Sequence, residues 1–184
     1  MAFRYIVKPK STGSIERRVV HCALLGLLLV GCSAEGVPKS VDGNEMSVAI
    51  DTGNVAKVVT LLRNGSDPNR EDDSSNLPLV LAASTSTADV VAALLAAGAD
   101  PNLVAEGFRW SALGRAATRT DADAVRMVLM LLAAGADVCV RMPGEEPNSV
   151  FEDLYGGLRP IEIAQAVGNQ DVESVLALAD RECS

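Results

Sequence analysis

Residues 90–102 read VVAALLAAGADPN, an alanine- and leucine-rich run closed by glycine and followed by Asp-Pro-Asn. The apolar run suits a buried helix, and the Gly-Ala-Asp-Pro-Asn tail suits its end. Glycine accommodates the left-handed turn, and the Asx side chains satisfy freed backbone groups. The same text recurs at 58–69, VVTLLRNGSDPN, and at 128–139, VLMLLAAGADVC. The closing glycines Gly65, Gly98 and Gly135 stand 33 and 37 residues apart, so one unit repeats and its third copy carries a short insertion.

A second anchor keeps the same phase. Leu77-Pro78-Leu79-Val80-Leu81-Ala82-Ala83, Ser111-Ala112-Leu113-Gly114-Arg115-Ala116-Ala117 and Arg159-Pro160-Ile161-Glu162-Ile163-Ala164 each open an apolar helix. In period, in the helix–glycine–turn order and in these Thr-Pro-Leu-His-like starts, the chain resembles the ankyrin-repeat family over roughly three quarters of its length. The histidine of that motif is replaced by Val80, Gly114 and Glu162, which marks the repeats as divergent. The resemblance implies an all-α fold, an ankyrin-repeat solenoid of about four helix-turn-helix repeats, near 44–65, 77–98, 111–135 and 159–180. It also implies binding of another protein. The first repeat lacks the proline-containing start and presents Glu45, Ser47, Asp51 and Lys57, as a terminal cap facing water would.

Bulk composition fits that architecture. Of 184 residues, 48% are apolar but only 3% aromatic, and stacked thin helices need small side chains more than bulky ones. From Cys32 onward 11 basic residues face 23 acidic ones, a net charge of −12 against −8 for the whole chain. Such a surface repels phosphate, which argues against nucleic acid, and permits a basic protein partner without demanding one.

The amino terminus reads as an address. Arg17-Arg18 precedes an apolar run at 19–30, which at 12 residues falls short of the roughly 20 that span a bilayer as a helix. The run ends in Leu29-Val30-Gly31-Cys32, which resembles the lipobox of bacterial lipoproteins. That resemblance implies a signal peptide at 1–31, cleavage between Gly31 and Cys32, and acylation of the Cys32 thiol. Each buried methylene of the acyl chains would add about 0.8 kcal/mol of anchoring. Ser33, in the position that sorts lipoproteins, implies the outer membrane, with the repeat domain (44–184) in the periplasm. Residues 32–43, rich in Gly, Ser and Pro, read as a flexible tether.

Candidate contact residues lie where the chain departs from its repeat. The charged tip with Arg70, Asp72 and Asp73 reads chiefly as a solvated loop and secondarily as a contact. Phe108-Arg109-Trp110 holds the only tryptophan, and two roles are open: aromatics and arginine dominate binding hot spots, yet Trp110 can equally fold beneath its hairpin and cover a repeat interface. An insertion at 143–155, PGEEPNSVFEDLY, carries Glu145, Glu146, Phe151 and Tyr155; two roles are open, a partner-contacting finger, which is the reading preferred, and a passive loop. In the third repeat, Val125, Val128, Leu129, Leu131 and Leu132 are expected to supply the apolar face, with the extra residues lengthening the helix–helix turn at 119–123.

Cys139 and Cys183 are candidates for a disulfide in an oxidising compartment. Aligning Asp180 with Gly98 puts them in adjacent repeats. Packed helices lie about 8–10 Å apart whereas a disulfide tolerates Cα separations to about 7 Å, so the sequence leaves the bond open.

No catalytic constellation is expected. The one histidine, His21, falls in the signal segment, which removes Ser-His-Asp and Cys-His arrangements and His-ligated zinc from the domain beyond it. Neither a Walker-type nor a dinucleotide glycine motif occurs, so no cofactor and no metal are expected. The reading is a periplasmic protein-binding lipoprotein, either an immunity protein that neutralises a toxin or a scaffold for a periplasmic enzyme. The alternative is an envelope structural lipoprotein that binds peptidoglycan.

Overall fold

The computed structural model describes residues 43–104, 110–142 and 155–183. The signal segment, Cys32 and the tether as far as residue 42 lie outside the described residues, as do Phe108, Arg109, Glu145, Glu146 and Phe151. Among the described residues eight α-helices succeed one another: α1 (Gly43–Asp51), α2 (Val55–Arg63), α3 (Pro78–Thr85), α4 (Ala88–Ala96), α5 (Ala112–Ala117), α6 (Ala124–Ala133), α7 (Pro160–Val167) and α8 (Gln170–Ala179). A 3-10 turn, Asp180–Glu182, follows α8, and no strand occurs among the described residues.

The helices pack as four pairs in two rows. Within the first row α1 lies on α3, α3 on α5 and α5 on α7, and within the second α2 lies on α4, α4 on α6 and α6 on α8. Small residues make the first row possible. Ala82, Ala83, Ala112, Gly114, Ala116, Ala117 and Ala164 are all buried there, and side chains this short let helix backbones approach closely. Both rows bury larger apolar residues, among them Ile50, Leu79, Leu113 and Ile163 in the first and Val58, Leu61, Val90, Val91, Leu94, Val128, Leu131, Val172 and Leu176 in the second. Burying a side chain such as Leu94 contributes about 2–3 kcal/mol.

Three of the four second-row helices end in the same way, through the recurring glycine. Gly65, Gly98 and Gly135 have φ of 94°, 89° and 88°, a left-handed conformation that favours residues without a Cβ. The next amide reaches back over the last turn, from Ser66 to Leu61 O, Ala99 to Leu94 O and Ala136 to Leu131 O, at 2.9–3.1 Å. These are Schellman caps. The aspartate two residues past each glycine then accepts from the backbone two residues on: Asn69 N to Asp67 Oδ1, Asn102 N to Asp100 Oδ1 and Cys139 N to Asp137 Oδ1, at 2.8–2.9 Å.

Repeat three departs from the pattern where its insertion falls. Helix α5 is only six residues long, and residues 118–123 form the turn before α6, where repeat two needs only Ser86 and Thr87. The lengthened turn works back on repeat two. Arg119 Nη1 donates to the carbonyls of Ala83 and Ser84 at the end of α3, at 3.5 and 3.3 Å, and Asp123 Oδ2 accepts from Ala88 N at the start of α4, at 3.2 Å. Free groups at two helix ends are thus satisfied from the neighbouring repeat. On α6 the expected apolar face needs one correction: Leu129 is 50% exposed, and Met127 is the buried residue of that turn. With Val128 and Leu131 facing the core, Leu129 lies one position, or about 100°, round the helix from Val128 and emerges into solvent.

Candidate protein-binding surface

The first hairpin is built around Asp72. Its Oδ1 accepts from the backbone N–H of Ser74 and Asn76, both at 2.8 Å, and its Oδ2 accepts from Ser47 Oγ of α1 at 2.6 Å. Burial alone would push this carboxyl up, but the hydrogen bonds from Ser47, Asn76 and Ser74 prevail and hold it below its ordinary value of 3.8. The same network keeps Ser75 in the left-handed region at φ 59°. Asp72 is therefore a keystone of the tip and not a side chain offered to a partner, since both its oxygens are engaged within the chain. Asp73 is exposed, though Oδ2 accepts from Asn44 Nδ2 at 2.8 Å, and Arg70 is exposed beside it.

Trp110 takes the second of the two roles left open by the sequence. It is only 5% exposed, with Arg115 of α5 over one face at 4.2 Å and the Tyr155 ring meeting it edge-on at 6.1 Å. A guanidinium on an indole and a T-shaped aromatic pair each contribute on the order of 0.5–2 kcal/mol. Buried Trp110 and half-buried Tyr155 thus tie repeat three to the approach to repeat four. Trp110 also floors a narrow cleft of about 50 Å³ between the first hairpin and the first helix row, lined by Ser75, Asn76, Val80, Leu81, Ser84 and Arg115.

Leu103 and Val104, at 36% and 44% exposure, form an apolar pair on the second hairpin that repeat spacing did not single out. Its signal was present: two consecutive apolar residues directly after Asp100-Pro101-Asn102, where a solvated turn has no packing need for them. With Arg70 and Asp73 they make the described part of a mixed apolar and charged hairpin surface. At the other edge, where helix meets helix, a shallow cleft of about 510 Å³ is lined by Asp51, Thr85, Arg119, Asp121 and Asp123 among others. Its charged side chains are largely committed. Asp51 accepts from Thr85 Oγ1 at 3.0 Å, Asp121 pairs with Arg119 at 2.6 Å, and Asp123 caps α4.

The hairpins are joined by a ladder of side-chain amides. Asn69 donates through Nδ2 to Gly98 O at 3.0 Å and accepts at Oδ1 from Asp100 N at 2.8 Å. Asn102 does the same one repeat later, to Gly135 O at 2.9 Å and from Asp137 N at 2.8 Å. The third position of this register is Cys139, and it is disulfide-bonded to Cys183 with a Cα separation of 5.4 Å. The 3-10 turn Asp180–Glu182 gives this closeness. Asp180 is the C-cap of α8, as Ala97 is of α4, so the alignment of Asp180 with Gly98 is off by one residue, and the tight turn replaces the glycine cap and carries Cys183 inward.

Repeat four is also pinned by charge. Arg159 Nη1 donates to Asp180 Oδ1 at 2.7 Å, and Glu162 Oε2 accepts from Arg159 N at 2.7 Å. That backbone hydrogen bond is the main reason the Glu162 carboxyl is held below its ordinary range; burial opposes it, and the positive charges of Arg159 and Arg141 reinforce it. Among the described residues no group of three or more His, Cys, Asp or Glu could hold a metal ion, and no helix is long and apolar enough to cross a membrane.

Stacked helix pairs with glycine-capped second helices and hairpins aligned along one edge define a solenoid whose repeated surface serves protein–protein interaction. The family model for ankyrin repeats in three copies matches residues 46–142, more than half the chain, and the protein belongs to the ankyrin-repeat family. Comparison with curated proteins returned no match.

Proposed function

We propose that the protein is a lipoprotein anchored through acylated Cys32, with its ankyrin stack in the periplasm holding a protein partner. The observation that carries this reading is the order of segments. A basic start, a 12-residue apolar run and Gly31-Cys32 lead through a Gly/Ser/Pro tether into an acidic repeat domain. The outer membrane is the favoured location because Ser33 comes directly after the cysteine. The hairpin row with Arg70, Asp73, Leu103 and Val104 is the binding edge, and the net charge of −12 beyond Gly31 favours a partner with a basic face. Within this reading the chain is not an enzyme and acts by occupancy, as an immunity protein against a toxin or as a scaffold for a periplasmic enzyme.

Labelled fatty acid should enter the wild-type protein and not Cys32→Ala, which should accumulate as uncleaved precursor or appear in the soluble fraction. Label in the variant would refute the anchor. A pull-down from detergent-solubilised envelope tests the partner: one stoichiometric protein, lost on deletion of residues 143–155 or on Leu103→Asp, supports the role. Retention on isolated cell wall with no protein partner would favour the structural, peptidoglycan-binding alternative.

A further inference from the structure

Two junctions of the solenoid are closed by an asparagine whose amide both donates to and accepts from the next repeat. At the third junction neither half of that bridge is available. Cys139 occupies the asparagine position, its backbone held by Asp137 as Asn69 and Asn102 are held by Asp67 and Asp100, but a thiol is too weak a donor and acceptor to replace the amide. On the far side the Gly-x-Asp turn that receives the amide is absent, because Asp180–Glu182 is a 3-10 turn. The two ends of α8 are consequently held by different means. Its start is fixed by Asn169, whose Nδ2 donates to Arg119 O at 2.8 Å and whose Oδ1 caps Val172 N at 3.1 Å. Its end is held by Arg159 on Asp180 and by the Cys139–Cys183 bond.

We propose that Cys139–Cys183 is a redox site that makes the locking of the last repeat conditional on thiol oxidation, independently of where the chain resides. In the reduced protein the end of α8 frays while its start and the first three repeats stay folded. Oxidation restores the lock by exchange with a disulfide-bearing donor, either a small-molecule disulfide or a disulfide oxidoreductase. Cys139 is the exposed member of the pair and Cys183 the half-buried one. The Cys139 thiolate therefore attacks the donor disulfide first and expels one donor thiolate. The Cys183 thiolate then attacks the Cys139 sulfur of the mixed disulfide and expels the second. Two electrons and two protons pass from the protein to the donor, which leaves as two thiols.

The test is hydrogen–deuterium exchange of the purified full chain with and without dithiothreitol, with alkylation and mass spectrometry confirming free thiols at 139 and 183. Reduction is expected to raise exchange by about tenfold or more at residues 176–183, by much less at 170–173, and not at all through 44–104. The Cys139→Ser/Cys183→Ser variant should show the raised exchange with or without dithiothreitol. Unchanged exchange at 176–183 after confirmed reduction would overturn the proposal. So would simultaneous loss of protection across all four repeats, which would make the bond a general staple. Because the wild-type comparison is complete in itself, failure of the double variant to fold would not remove the test.

Discussion

The two asparagine junctions and the cysteine junction do the same job with different chemistry. At Asn69 and Asn102 the link is a pair of hydrogen bonds made to backbone groups that every Gly-x-Asp turn presents, so the link works only if the next repeat keeps that turn. At Cys139 the next repeat ends in a 3-10 turn, and a covalent bond substitutes for the missing receptor. The covalent tie thus stands where the turn that would receive an amide is absent.

The largest effect expected concerns that tie. Cross-linking across 44 residues stabilises by about 4 kcal/mol in the chain-entropy account, so Cys139→Ser/Cys183→Ser should lower the urea midpoint of the last repeat by far more than any single asparagine change. A midpoint equal to that of oxidised wild type would break the contrast between the junctions.

Next is the close approach that feeds the third junction. A Cβ on Gly114 would stand 2.5 Å from Met142 Sδ and 2.9 Å from its Cε, and Met142 is buried between α5 and the start of the last junction. Gly114→Ala should therefore cost about 1–3 kcal/mol through displacement of Met142, measured by chemical denaturation. No loss would mean that the methionine moves aside freely.

Asn102→Ala removes one donor and one acceptor facing Gly135 O and Asp137 N. Because these hydrogen bonds are exposed and water can replace them, a loss of about 1 kcal/mol is expected, with raised amide exchange at Asp137. A loss as large as that at the cysteine junction would show that the two links are energetically equivalent after all.

Acid should affect the first hairpin as well as the last repeat. Asp72 and Glu162 both have carboxyls held below their ordinary values, 3.8 and 4.5. Their contribution is present above those values and is lost as pH falls through the lower values of the folded protein. Stability should therefore decline below about pH 4, and Asp72→Asn should flatten part of that decline in a pH series of thermal midpoints. An unchanged profile would mean that the tip network does not couple to folding.

The smallest effect is the most discriminating. In a Cys183→Ser background, Cys139→Asn should match Cys139→Ser within about 0.5 kcal/mol, since the 3-10 turn offers no Gly-x-Asp receptor for an amide. Recovery of a full rung would show that the asparagine position, and not its receptor, decides the link.

The helices were legible in the residues because period and punctuation agree. The recurring apolar run with its closing glycine marks the second helix of the first three repeats, and Gly65, Gly98 and Gly135 fall two residues past the observed ends of α2, α4 and α6. The inserted residues of repeat three were assigned to the helix–helix turn, where they lie. What pattern could not settle was which side of a borderline residue faces inward. Leu129 looks like core by type yet emerges into solvent, and Asp72 looks like a solvated loop charge yet organises its hairpin and ties it to α1.

Sequence by itself determined the repeat, the helix ends and the family, because those depend on contacts within a single helical turn and on a period that can be counted. Tertiary structure decided the roles of Trp110, Tyr155, Cys139 and Cys183. Trp110 chooses between partner and core only when Arg115 and Tyr155 converge on its ring from elsewhere in the chain. Cys139 and Cys183 stand 44 residues apart, and ordinary helix spacing would leave them too far apart to bond. The tight turn after α8 brings their Cα atoms to 5.4 Å, and that turn takes the place of the glycine cap that directs each earlier second-row helix outward into a hairpin.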